Sequence, residues 1–105
     1  MLTLCYDLLC TRIHFPSEWR LALDLFTDEP TRGQQTHGFV TGSDLLELAD
    51  RFGLQAKRAS RFLEDTLSHE SETVDLVARS FLGDEAKAAY LCEVNEGRRL
   101  LSIRD

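Results

Sequence analysis

Apolar residues recur at helical spacing from about residue 41 to the end of the chain. Thr41 or Ser43 suits an N-cap, and Asp44 and Glu47 place carboxylates in the first turn, where the helix macrodipole favours them. Leu45, Leu48, Ala49 and Phe52 then share one face, and Gly53 stops the helix as a C-terminal glycine commonly does. The same spacing puts Ala59, Phe62, Leu63 and Leu67 inward on a second helix, and Val74, Val77, Ala78 and Phe81 inward on a third. Ser68 and Ser71 are alternative caps for the third helix, and Gly83 breaks it. Asp84 and Glu85 open a fourth, with Ala86, Tyr90, Val94 and Leu101 on its inner face. The pattern therefore predicts helices over 43–53, 55–67, 71–81 and 84–102. Gly97 is expected to interrupt the last of these, at roughly 1 kcal/mol relative to Ala.

The first third reads differently. Residues 4–11 fit a short helical turn. Trp19, Leu21, Leu23 and Leu25 alternate with Arg20, Ala22 and Asp24, a period of two that suits a short strand near 19–26 with one buried face. Thr27 to Gly42 carries Pro30, Gly33, Gly38 and Gly42 among polar residues and reads as a loop of about 15 residues, long enough to suggest function. No repeat, low-complexity tract or linker divides the chain. The expectation is a single, mostly α domain over 1–105, with an irregular N-terminal third laid against four helices.

Composition narrows the function classes. The formal net charge of −6 argues against a generic nucleic-acid binder, which carries a basic excess. No apolar run approaches the ~18–20 residues of a membrane span, and the start lacks the basic lead and small-residue cleavage site of a signal peptide. Cys5, Cys10 and Cys92 form no spacing pattern, which favours free, buried thiols in a reducing cytoplasm. Cys5, Cys10 and His14 match no standard zinc spacing, and His14, His37 and His69 are scattered, so no metal site is assigned.

The opening block Leu2-Thr3-Leu4-Cys5-Tyr6-Asp7-Leu8-Leu9-Cys10-Thr11 is the most specific stretch. It resembles the L-x-P-x-Y-D-L-L segment of HipA-like serine/threonine kinases, the toxins of bacterial toxin–antitoxin modules, with Leu4 where that family usually has Pro. The resemblance continues through Leu21-Ala22-Leu23-Asp24-Leu25-Phe26, the helix starting near Ser43, and Ser80-Phe81-Leu82. It implies that the whole chain corresponds to the C-terminal helical region of such a kinase, and that the catalytic parts precede this region. The residues themselves agree with that division of labour. No Gly-rich phosphate loop or His/Arg-x-Asp catalytic loop is present, and Lys57 and Lys87, the two lysines, both fall in predicted helices. No catalytic residue or cofactor is assigned to this chain, and ATP and magnesium would belong to the complete kinase. Tyr6 reads as a packed aromatic, and Asp7 as a turn cap or a partner of Arg12. The apolar side chains of Leu2, Leu4, Tyr6, Leu8 and Leu9, with Asp7, are the expected interaction site. They would meet the remainder of the kinase, an antitoxin-type protein or a second copy of the chain, or fold against the Leu48–Phe62 helices.

A rival reading takes Ala49 and Gly53 as the small residue and turn of a helix-turn-helix. Leu48, Phe52, Leu54, Ala59 and Phe62 then fall at its apolar positions, and Gln55, Lys57, Arg58, Ser60 and Arg61 would reach DNA. Acidic neighbours, Asp44, Glu47, Asp50, Glu64 and Asp65, oppose it. The other charges, among them Glu70, Glu72, Asp75, Glu93 and Glu96, read as solvated helix faces, and Arg98, Arg99 and Arg104 as complements to the negative end of the last helix. The sequence thus leads to a non-catalytic helical domain with a structural or protein-interaction role, with a small DNA-binding protein as the alternative.

Overall fold

A computed structural model of the chain describes residues 10–21, 24–27 and 29–104. A 3-10 turn, Thr11–Ile13, is followed by α1 (Arg32–His37), α2 (Gly42–Arg51), α3 (Ala56–Leu67), α4 (Glu70–Arg79) and α5 (Asp84–Leu101). The four predicted helices all form. The supposed loop before them contains an additional one, α1, held by a capping box: the Gln34 N–H donates to Thr31 Oγ1 at 3.1 Å, and the Thr31 N–H donates to Gln34 Oε1 at 2.8 Å. None of the described residues forms a strand. Trp19–Leu21 and Asp24–Phe26 are irregular instead, with bends at Arg20 and Leu25, because a period-two ribbon needs a partner strand to satisfy its backbone and no described residues supply one.

The start of α2 is the best-satisfied polar cluster in the fold. Asp44 is buried, as are Thr31 and Thr41. Its Oδ2 accepts from Thr31 Oγ1 at 2.7 Å and from the Thr41 N–H at 2.9 Å, and its Oδ1 accepts from the Gly33 N–H at 3.0 Å. One carboxylate thus ties the first turn of α1 to the first turn of α2, and it sits where both helices leave N–H groups unsatisfied. Gly33 is required by this closeness: a Cβ there would lie 2.2 Å from Asp44 Oδ2. Gly42 is required for the same reason one turn away, where a Cβ would lie 2.2 Å from the Leu101 carbonyl oxygen. The Ser43 N–H donates to the Ile103 carbonyl at 2.9 Å, so the chain beyond α5 is tied to the head of α2.

Gly53 closes α2 at φ +79°. The Leu54 N–H reaches the Ala49 carbonyl and the Gly53 N–H reaches the Asp50 carbonyl, both at 2.9 Å, the Schellman pairing that lets the chain reverse into α3. The last helix, α5, touches the N-terminal turn and α2, α3 and α4. It runs unbroken through Gly97, contrary to the expected interruption, because neighbouring elements support it along its length.

The apolar core among the described residues is small: Phe26, Ala59, Leu63, Val77 and Leu100. Leu45, Leu48, Ala49, Leu67, Ala86, Tyr90, Val94 and Leu101 are half-buried rather than buried. Phe52, Phe62, Val74, Ala78 and Phe81, all expected inside, are exposed. On α3 the inward row is Ala59 and Leu63, and Phe62 stands about 100° round the helix from Leu63. Phe52 is the C-cap of α2, and Phe81 lies in the α4–α5 turn, where neither is carried over a neighbouring helix.

The Asp44 cluster predicts a contrast. Asp44→Ala leaves three buried donors unpaired and should cost about 3 kcal/mol or more, and Thr31→Val about 2 kcal/mol. Thr41 Oγ1 is buried and makes no well-aligned hydrogen bond, the Asp44 N–H of the capping box donating instead to the Thr41 carbonyl at 3.1 Å. Thr41→Val should therefore change stability by less than about 0.5 kcal/mol, where an ordinary threonine N-cap would lose about 1 kcal/mol. Urea midpoints with unchanged slopes check all three. At Gly97 the nearest atom to an added Cβ is Arg20 Nη1, 3.9 Å away. Gly97→Ala should raise stability by about 0.5–1 kcal/mol in the same assay.

Candidate interaction surface

The segment between the N-terminal turn and α1 is fixed to the middle of α5 by charge. Glu93 Oε2 accepts from Arg12 Nε at 2.8 Å and from Arg20 Nη2 at 2.9 Å, with all three side chains about a quarter exposed or less (25%, 23% and 22%). Arg12 also donates to the Glu18 carbonyl, and Thr11 Oγ1 donates to the Glu18 carboxylate, so the arm is braced internally as well. Glu93 is thus a clamp between two segments and not a solvated charge. Arg12, proposed as a partner for Asp7, is engaged here.

The clamp sets down the aromatic ring of Trp19. Its centroid is 6.2 Å from that of Phe39, with 27° between the planes. The pair flanks an open, mostly apolar cavity of about 230 Å³, walled by Leu21, Val40, Leu45, Leu100 and Leu101 with Gly97 of α5 beside them. Arg20 and Gln34 are the polar side chains that reach it among the described residues. Trp19 itself is 57% exposed. A half-open apolar cavity flanked by two stacked rings can receive an apolar side chain. It holds no nucleophile or general base among its described residues. On the neighbouring surface, Arg99 donates to both oxygens of Glu96, at 3.0 and 2.6 Å, and that hydrogen bonding holds the Glu96 carboxyl below its ordinary pKa.

The residues expected to carry the interaction, Leu2, Leu4, Tyr6, Asp7, Leu8 and Leu9, lie outside the described residues, as does Cys5. Cys10 is half-buried, and Cys92 is exposed on α5 and not the buried small hydrophobe its composition suggested. Of the DNA-reading set, Gln55 is the N-cap of α3, and Lys57, Arg58 and Arg61 are exposed on its first half. Ser60 instead accepts from Arg104 Nη1 at 3.4 Å, and the same nitrogen lies 3.3 Å from Glu64 Oε1. Arg58 lies over the Phe62 ring, 5.5 Å from its centroid. A helix-turn-helix buries its apolar positions in a common core. Here Ala59 alone of the five is buried, Leu48 is half-buried, and Phe52, Leu54 and Phe62 face outward.

Sequence reasoning missed the clamp and the Trp19–Phe39 pair. The two arginines and Glu93 are more than 70 positions apart in the chain, so no local spacing links them. A lone tryptophan in a polar, proline-containing stretch was the available signal for the second. The remaining charges are also more occupied than a solvated face implies. Arg98 donates to the Leu67 carbonyl and lies 3.5 Å from Glu70, so it caps α3 from α5.

Glu93→Ala should free the arm from α5 and cost about 1 kcal/mol. Local opening then becomes about five times more frequent, and tryptic cleavage at Arg12 and Arg20 should accelerate by that factor while the urea slope stays constant. No protein-family model, curated protein or solved structure matches this chain.

Proposed function

We propose that this chain is a non-catalytic helical domain that works by protein contact, in the position of the C-terminal helical region of a HipA-like toxin kinase. The observation that carries the contact role is the exposed Trp19–Phe39 pair beside an open apolar cavity, set in place by the Glu93 clamp. A large aromatic left in water beside an unfilled apolar cavity is the arrangement of an interface anchor awaiting its partner. The kind of partner comes from the resemblance in the opening block: the catalytic remainder of such a kinase, or an antitoxin-type protein. ATP and magnesium are handled by that remainder, and the site of action is the cytoplasm.

Trp19 is the single tryptophan and therefore its own reporter. Adding the polypeptide encoded immediately upstream should shift Trp19 emission to the blue, and Trp19→Ala or Phe39→Ala should weaken co-purification at least tenfold. That loss corresponds to about 1.4 kcal/mol, ordinary for a truncated interface aromatic. The chain alone, given radiolabelled Mg-ATP, should incorporate no phosphate. Phosphate transfer by the isolated chain, or binding indifferent to both substitutions, defeats the reading.

A further inference from the structure

Contacts along α5 set a different surface at each of its ends. Lys87 of α5 donates to the Ala78 carbonyl at the end of α4 at 2.8 Å, and Arg98 meets Leu67 and Glu70 at the α3–α4 junction. So α4 runs antiparallel to α5, and the α4–α5 turn lies at the N-terminal end of α5. Arg104, beyond the C-terminal end of α5, reaches Ser60 and Glu64. The start of α3 and the α2–α3 turn therefore lie past that end. The 18 residues of α5 put about 27 Å between the two poles.

Both poles are apolar, and their charges are opposite. At the α2–α3 pole Phe52 is 75% and Phe62 54% exposed. Residues 50–61 there hold Arg51, Lys57, Arg58 and Arg61 against Asp50. Arg51 is taken by Glu47 at 3.0 Å and the nearby Glu64 by Arg104 at 3.3 Å, so the basic excess comes from Lys57, Arg58 and Arg61. Lys57 and Arg61 have no carboxylate partner among the described residues. At the α4–α5 pole Phe81 is 109% exposed, with Leu76 and Leu82 also exposed. Residues 75–87 there hold three carboxylates and two cations. Arg79 is taken by Asp75 at 2.9 Å and Lys87 lies on the Ala78 carbonyl, so Asp84 and Glu85, without an ion-pair partner among the described residues, leave a small acidic excess.

From this we infer that the chain self-associates head to tail, the α4–α5 pole of one copy docking on the α2–α3 pole of the next. Two like poles facing each other would set cations against cations or carboxylates against carboxylates, so the symmetric contact is opposed and the alternating one favoured. Because the poles lie at opposite ends of α5, each added copy presents a fresh pole, and the assembly grows as an open series instead of closing as a dimer. The inference uses neither Trp19 nor Phe39, so it stands or falls separately from the function proposed above.

Sedimentation of the full chain at low salt tests it. The mass-average should rise with concentration past that of a dimer, and 0.5 M salt should weaken association about tenfold. Arg58→Glu/Arg61→Glu and Asp84→Lys/Glu85→Lys should each be monomeric alone and associate when mixed, since one variant then carries two acidic poles and the other two basic ones. Phe81→Ser tests the acidic pole without touching a helix terminus or a packed side chain, and should weaken association at least tenfold with an unchanged urea midpoint. Four results overturn the inference: a monomer throughout, a series that stops at two, association indifferent to Phe81→Ser, or charge-reversed variants that fail to associate when mixed.

Discussion

The fold depends first on where the Asp44 carboxylate sits. A buried carboxylate is costly unless its oxygens are fully engaged. Here the engagement comes from a threonine hydroxyl and two backbone N–H groups belonging to the starts of two helices. The donors would themselves be unsatisfied at those helix starts, so the cost of burying the charge and the cost of orphaned N–H groups cancel against each other. This constrains everything around it. Gly33 can carry no side chain, Thr31 must cap α1, and the 38–41 connection must return α2 to within reach. Gly42 then brings the head of α2 against the end of α5, so the polar cluster also sets where the long helix ends.

Away from that cluster, charge performs much of what a larger core does elsewhere. Arg12 and Arg20 on Glu93 hold the N-terminal arm, Arg98 closes α3, and Arg104 holds the tail to α3. Each is a link between segments distant in the chain, and each is partly exposed, so each contributes modestly and weakens with salt. With few buried apolar side chains beside them, the arm and the ends of the helix pairs are the parts that open at low cost. Those are also the parts that bear the exposed aromatic residues.

The helices were legible because their signals are local. Gly53 with its flanking apolar residues marks the α2–α3 reversal, and Asp84 and Glu85 after Gly83 mark the start of α5. The α1 helix was not legible. Six residues with a glycine inside and another at the end look like a loop; the Thr31–Gln34 capping box is local, but the Asp44 carboxylate that holds the Gly33 N–H comes from eleven residues beyond Gly33. The strand expected near 19–26 failed for the opposite reason: its alternation was local and real, but a strand exists only with a neighbour. The sequence places Asp44 in the first turn of α2, where the dipole favours a carboxylate, but not its burial, which depends on Gly33 and Thr31 arriving from another helix. Of the site, the alternation put Trp19 on a buried face, whereas the fold leaves it exposed, and Phe39 and Glu93 come from parts of the chain that only the fold brings near.

Two of the misplaced aromatic residues, Phe52 and Phe81, share a cause. Helical periodicity assigns an inward face on the assumption that a neighbour covers the whole length of each helix. In this chain α2 is ten residues and α4 is ten, against eighteen for α5, so the short helices cover only part of the surface their partners offer. Residues at helix ends and in turns, Phe52 and Phe81, then satisfy the pattern without meeting a neighbour. Phe62 fails differently, lying on the flank of α3 where an additional helix would have to pack. An apolar residue that fits a helix's own periodicity but finds no partner within the chain marks where a further surface would fit. In this molecule such residues gather at the two ends of α5 and leave its middle to the Glu93 clamp. That division allows the chain to hold its own arm in place along one side while offering separate apolar surfaces at its ends.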